Sequence, residues 1–200
     1  MKNDTLGLYG PEDSKYLRLV ARWAEKEGIK TAWVAGPTPG CVAYVADTDA
    51  GLPMWDLTPE EDVDNIQHPW LSCCAIAVLW YIYSSPGWRA CVIGRGHAVQ
   101  GLAETLQGYA VDQCSSTALD MGYRVSRAEI VINTAAAVAG EVLGAVPASA
   151  TVIDVSGSMA PVKDRVVDYV PRGYVGKWNI AELLRRVKVR IEEERNGQLH

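Results

Sequence analysis

The strongest constraint on the fold is an alternation in the second half of the chain between short apolar runs and stretches of helical or turn character. The runs are ACVIG at Ala90–Gly94, YAVDQC at Tyr109–Cys114, EIVIN at Glu129–Asn133 and TVIDV at Thr151–Val155. A helix is expected over about His97 to Gln107, a weak helical turn follows YAVDQC, and a stretch of small residues precedes TVIDV. Strands spaced this way are too far apart for hairpins, so they predict a parallel sheet with right-handed crossovers. The fold class is therefore α/β, with a Rossmann-like parallel-sheet lobe over residues 85–178.

The first half repeats the rhythm on a smaller scale. Leu6 to Tyr9 is a short apolar element, and Gly10-Pro11-Glu12-Asp13 places proline and acids where a helix begins. Leu17, Val20, Ala21 and Ala24 recur at helical spacing up to about Glu27, and Gly28 separates them from the strand TAWVA. Residues 36–58 read as glycine- and proline-broken loops around a possible strand at Cys41–Val45. The run LSCCAIAVLWYIY is apolar nearly all round, as a buried helix would be, and Pro86-Gly87 ends it. The resulting division is a small, trimmed N-terminal α/β lobe over 1–68, a linking helix over 69–84 and the nucleotide lobe over 85–178. A last helix, Asn179 to Arg195, carries Ile180, Leu183, Leu184, Val187 and Ile191 on one face and is expected to pack back on the first lobe. Its Arg185, Arg186, Lys188 and Arg190 lie beside Glu192, Glu193 and Glu194 and read as a solvated face.

Composition narrows the function. The 200 residues are 48% hydrophobic, and the formal net charge of -5 leaves no footprint for a phosphate backbone, so nucleic acid is not an expected partner. No window reaches eighteen apolar residues and the first residues lack a signal-peptide pattern, so no membrane association is expected. The five cysteines, Cys41, Cys73, Cys74, Cys91 and Cys114, lack CxxC spacing and mostly sit in apolar runs, which fits the reducing cytoplasm. His68, His97 and His200 have no ligand-like spacing to them, and no metal site is expected. The seven tryptophans, among them Trp33, Trp70 and Trp178, read mostly as core or interface material.

The segment ACVIGRGHAVQG runs from a strand through Gly94 and Gly96 into the expected helix. Glycine there lets the backbone approach a diphosphate, and a helix start offers free N–H groups. Its GxGxxxxG spacing departs from GxGxxG, and glycine also ends strands simply to make a tight turn. An NAD site usually places a carboxylate about twenty residues on to hold the ribose 2′-hydroxyl. Here Cys114-Ser115-Ser116 stands at that place, and two hydroxyls with Arg95 suit the 2′-phosphate of NADP. Arg95 as a plain surface cation, and Asp112 or Asp120 as the missing carboxylate, are the competing readings. His97 is a further candidate at the phosphates, and Asp154 and Ser156 end a strand on the edge where such ligands bind.

These strings resemble the bifunctional methylenetetrahydrofolate dehydrogenase/cyclohydrolase family, whose cofactor turn reads roughly GRSxxVGxP and is followed by a C-H-S strand end. This chain has GRGHAVQGL and Cys114-Ser115-Ser116. In the same order AEIVIN resembles the family's ADIVI, ATVIDVS its ATVIDVG, and GYVGKWNIAELL its GGVGPMTVAxLL. Upstream, PEEDVDN resembles PEKDVDG, which puts Asp64 on the carboxylate that holds the pterin in the family. The resemblance also places Tyr16 beside the substrate, and it implies that the chain is about a third shorter than such enzymes, trimmed after Gly28.

The departures bear on chemistry. The family's YxxxK matches Tyr16-Leu17-Arg18-Leu19-Val20, with valine in place of the catalytic lysine, and its glutamine falls on Ala35. Valine neither gives nor takes a proton, so water attack on a methenyl bridge loses its assisting group. Hydride transfer relies more on placing the one-carbon unit near the nicotinamide with water kept out. The resemblance thus implies an NADP-dependent oxidoreductase acting on a methylene-tetrahydrofolate-type substrate between the lobes, with cyclohydrolase activity lost. Gly94, Arg95, Gly96, His97, Ser115 and Ser116 would hold cofactor, Tyr16 and Asp64 substrate, and a homodimer is the expected state. Other outcomes are a relative repurposed for another imine or one-carbon adduct, and a non-catalytic binding or regulatory subunit that keeps the fold.

Overall fold

The computed structural model describes residues 4–47, 56–67 and 71–197, which fall into two compact units, 1–69 with 180–200 and 70–179. His68, Trp70 and His200 lie outside the described residues. Both units are α/β with parallel sheets.

In the first unit β1 (Thr5–Tyr9) lies between β2 (Lys30–Val34) and β3 (Cys41–Ala46). Helix α1 (Lys15–Lys26) joins β1 to β2 and buries Leu17, Val20 and Ala24 of the helical stripe read from the sequence, while Ala21 is half-buried. Its cap is Ser14, whose Oγ accepts the Leu17 N–H at 3.2 Å, so the helix starts later than Pro11 and the nearby acids imply. Ser14 Oγ also donates to Asp47 at 2.6 Å, tying the cap to the end of β3. The acidic segment 56–67 is a series of turns. Buried Asp62 accepts the N–H groups of Ile66 and Gln67, each at 2.8 Å.

The second unit is built on the strand order β5-β4-β6-β7-β8, formed by β4 (Arg89–Ile93), β5 (Ala110–Cys114), β6 (Ile130–Asn133), β7 (Thr151–Asp154) and β8 (Asp168–Val170). Successive side chains of a strand point to opposite faces, and both faces of this sheet are covered. Ala90, Val92, Ile130, Ile132 and Ile153 enter one core, shared with the buried side of α2 (Cys73–Ser84). Cys91, Ile93, Val131 and Val152 enter the other, against α4 (Met121–Ser126) and α5 (Gly140–Ala145). Helix α2 carries no charged residue and is capped by Ser72, whose Oγ accepts the Ala75 N–H at 3.0 Å.

Helix α6 (Arg172–Gly197) is longer than the expected Asn179–Arg195. Within the first unit its Ile180, Leu183, Leu184, Val187 and Ile191 are all buried, Arg186 donates to the Val63 carbonyl at 2.9 Å, and Lys188 pairs with Glu27 at 2.6 Å. The 3-10 turn Ala160–Arg165 and strand β8 were not expected. The core reading fails for four tryptophans, since Trp33, Trp80, Trp88 and Trp178 are exposed.

The ends of β6 and β7 are joined by a polar knot. Fully buried Asp154 accepts from Gly157 N at 2.9 Å, Met159 N at 2.8 Å, Tyr169 Oη at 2.7 Å and Asn133 Nδ2 at 3.0 Å. Burial, with the adjacent Asp154 carboxylate, pushes the Tyr169 phenol up from its ordinary value. An unpaired buried donor costs about 1–3 kcal/mol. Asp154→Ala leaves several at once and is expected to lower unfolding free energy in urea by about 3 kcal/mol or more, whereas Tyr169→Phe costs about 1 kcal/mol.

Candidate functional site

In an open parallel sheet the connection out of β4 runs to β5 on one side, and the chain then crosses back to β6 on the other. Ligands bind at such a reversal, outside the carboxyl ends of the strands. That place in the second unit is occupied by Gly94-Arg95-Gly96 after β4 and by Thr134-Ala135 after β6.

Gly94 sits at φ +115, and a Cβ there would lie 2.0 Å from Thr134 Oγ1. Thr134 Oγ1 donates to the Ile93 carbonyl at 3.0 Å, and its own N–H bonds the same carbonyl at 2.9 Å. The Gly94 N–H is taken by Cys114 O at 2.9 Å and the Gly94 carbonyl by Gln113 Nε2 at 3.0 Å. The turn is thus clamped between the ends of β5 and β6, and only a residue without a side chain fits. Gly96 differs, because a Cβ there meets nothing within 4 Å. Beside it opens a cavity of about 410 Å³ whose lining includes exposed Arg95, half-buried His97, Gln100, Glu104 and Gln113. Among the sequence candidates the structure therefore brings Gly94, Arg95, Gly96 and His97 together, while Ser115 and Ser116 follow β5 on the same edge of the sheet. Gln113 and Thr134 were not foreseen, and no sequence signal distinguishes them from other polar strand-end residues.

The helix expected over His97 to Gln107 does not form. A three-residue 3-10 turn, His97–Val99, gives way to extended Gln100, then Gly101 at φ +73, and only then the short α3 (Leu102–Thr105). Gly101 adopts a left-handed backbone conformation that favours glycine, and this residue separates the two short turns. The dipole of a long helix is consequently not directed at this turn, and His97 Nδ1 faces Gln100 Oε1 at 3.3 Å.

The two carboxylates weighed as ribose partners have another role. Arg124 of α4 is clasped by Asp112 and by Asp120, the latter at 2.8 Å from its Nε. Those hydrogen bonds raise the Arg124 guanidinium and lower the Asp120 carboxyl from their ordinary values. Ser115 Oγ lies 3.0 Å from Thr117 Oγ1, and Ser116 is exposed, so the strand end presents hydroxyls. Asp154 and Ser156 are spent in the knot at the end of β7, where Ser156 Oγ donates to Asp154 at 3.2 Å. In the first unit Tyr16 is half-buried on α1, Asp64 is 5% exposed, and Ala35 is exposed beyond β2. Val20, in place of the family lysine, is fully buried in the core stripe of α1.

Solved structures share this architecture. A bifunctional methylenetetrahydrofolate dehydrogenase/cyclohydrolase from Campylobacter jejuni aligns with a TM-score of 0.73 at 18% identity, covering 97% of this chain and 89% of that one. A 5,10-methylenetetrahydrofolate dehydrogenase from the silkworm Bombyx mori aligns at 0.68 and 19%, covering 96% and 89%. Quinate dehydrogenase from Corynebacterium glutamicum in complex with NAD aligns at 0.58 and 11%, covering 94% and 97%. No protein-family model and no curated protein sequence matches the chain. The chain therefore has the α/β fold of the methylenetetrahydrofolate dehydrogenases, with a Rossmann-like second unit.

The clamp on Gly94 sets an expected outcome. Gly94→Ala must displace Thr134 and strain its own backbone, and a loss of about 1–3 kcal/mol is expected in urea unfolding. Gly96→Ala, with open space around it, is expected to unfold at the same denaturant concentration as the parent.

Proposed function

We propose that the protein is an NADP-dependent oxidoreductase that transfers hydride from a methylene-tetrahydrofolate-type substrate and has no cyclohydrolase activity. The observation that carries this reading is the open turn over Gly96, at the point where the parallel sheet reverses its winding, next to a cavity with Arg95 on its rim.

The residues present suit a dinucleotide. Gly94 fixes the turn and Gly96 leaves its backbone uncovered, so a diphosphate can approach closely. Arg95 supplies a cation, and Ser115 and Ser116 supply hydroxyls at the neighbouring strand end. Asp112 and Asp120 are both paired with Arg124, whose guanidinium offsets their charge and makes them weaker partners for a ribose 2′-hydroxyl. That combination favours a 2′-phosphate over a bare ribose. The nicotinamide would supply the hydride acceptor. The protein's part is to bind and orient it, while Tyr16 and Asp64 of the first unit contact the folate. Burial of the valine at the lysine position leaves no polarising group there for water attack, which separates hydride transfer from hydrolysis. The fold shared with a methylenetetrahydrofolate dehydrogenase and with an NAD-bound quinate dehydrogenase supports a nicotinamide cofactor.

Purified protein with NADP and methylenetetrahydrofolate is expected to generate the NADPH absorbance band without accelerating methenyl hydrolysis. A flat trace at high enzyme concentration overturns the activity. Arg95→Ala is expected to weaken NADP binding about tenfold, roughly 1.4 kcal/mol, and to leave NAD binding unchanged in calorimetry. Equal losses for both cofactors would remove Arg95 from the 2′-phosphate.

A further inference from the structure

The face of the second sheet that packs against α4 is only partly covered. Cys91 and Ile93 of β4 and Cys114 of β5 are buried on this face with Met121 and Val125 of α4. Side chains alternate along a strand, so Arg89 of β4 and Ala110 and Asp112 of β5 share it. Helix α4 has six residues and does not shield the strand starts, where Arg89 and Ala110 are exposed. The uncovered strip is a cavity of about 450 Å³ at the amino ends of β4 and β5, away from Gly94. That volume is in the range of small-molecule sites, and none of its lining belongs to the proposed nucleotide or folate contacts.

The cavity is lined by two cation–ring pairs. The Arg89 guanidinium lies 4.9 Å from the centre of the Trp88 ring, and that of Arg127 lies 5.4 Å from the centre of Tyr123. Arg127 Nη1 also donates to Tyr123 Oη at 2.9 Å. Stacking on a ring fixes the plane of a guanidinium and leaves N–H groups on its edge open to an anion. Among the described residues neither Arg89 nor Arg127 stands in an ion pair. The neighbouring Glu129 carboxylate accepts the Trp88 and Arg89 backbone N–H groups, at 2.9 and 3.1 Å. Arg124 differs, because it is held by Asp112 within the lining and by Asp120 outside it. The described lining thus sets three guanidinium groups against the single carboxylate of Asp112, with the rings of Trp88 and Tyr123 52% and 64% exposed beside the two unpaired cations.

We propose that this cavity is a second ligand site and that it takes a small aromatic carboxylate. The carboxylate accepts charge-assisted hydrogen bonds from Arg89 and Arg127, and the ring of the ligand packs on Trp88 or Tyr123 over the apolar floor of Cys91 and Ala128. Asp112 repels the anionic end from the floor and so keeps it beside the two free arginines. A small inorganic anion meets the cations but leaves the rings wet, and a neutral ring covers the aromatics but leaves the guanidinium groups without a counter-charge.

The test is calorimetry of the full chain at neutral pH with 2-naphthoate as the probe. One molecule is expected to bind per chain. The neutral analogue 2-naphthamide and inorganic phosphate, which each keep half of the recognised chemistry, are expected to bind about tenfold more weakly or less. Arg89→Gln and Arg127→Gln, both at exposed side chains, are each expected to weaken 2-naphthoate about tenfold, whereas Arg95→Gln leaves its affinity unchanged. An absence of binding heat, an equal affinity for 2-naphthamide or for phosphate, or a loss of affinity in Arg95→Gln with none in Arg89→Gln and Arg127→Gln would each overturn the proposal. The comparison of the three probes needs no variant. These titrations contain neither NADP nor folate, so their failure is separate from a failure of the proposed enzyme activity.

Discussion

The second unit depends on how closely the ends of β4 and β6 approach each other. Gly94 has room for a hydrogen and nothing more, because Thr134 is held over it by two hydrogen bonds to the Ile93 carbonyl. Gln113 and Cys114 secure the same glycine from the side of β5. Three strand ends are thus locked in register around one residue, and the loop beyond it is free to leave the sheet over Gly96. The rigid part of the turn and its open part are two residues apart. A phosphate site needs this combination, in which backbone amides are held in place and no side chain covers them.

Much of this was legible in the sequence, for a physical reason. Fully covered parallel strands must be apolar on both faces, so ACVIG, EIVIN and TVIDV stand out as runs without needing alternation. The stripe Ile180, Leu183, Leu184, Val187, Ile191 has the helical period and is buried throughout. Misses arose where a single backbone conformation or a distant pairing decides local structure. The break comes at Gly101, whose left-handed backbone ends the turn before α3 begins, and strand β8 is three residues whose pairing with β7 overrides their charged surroundings. At the site, the glycines and Arg95 were readable because turns have strict residue demands. Thr134 and Gln113 were not, because a polar residue at a strand end looks the same whether it clamps a turn or meets water.

The packing of the first unit bears on its chemistry. Placing valine where the resembling family has lysine does not leave a gap in a polar surface, since Val20 is enclosed beside Leu17 and Ala24 in the stripe that attaches α1 to its sheet. A lysine at that position would bring a charge into an apolar interior, so restoring the family residue alone would oppose folding before it could assist any reaction. The change thus belongs to packing as much as to chemistry, and reversing it would need neighbouring residues to move as well.

The aromatic residues carry a consequence of their own. The chain has no phenylalanine, and Trp80 and Trp178 stack at 5.9 Å on the surface of the second unit, with Trp33 and Trp88 also reaching solvent. Indole emission reports the polarity around each ring, so the intrinsic fluorescence of the folded protein draws heavily on rings that already touch water. Emission from these four rings changes less on unfolding than that of a fully enclosed indole would, and the Trp80–Trp178 contact becomes a built-in optical gauge of whatever settles on that outer face.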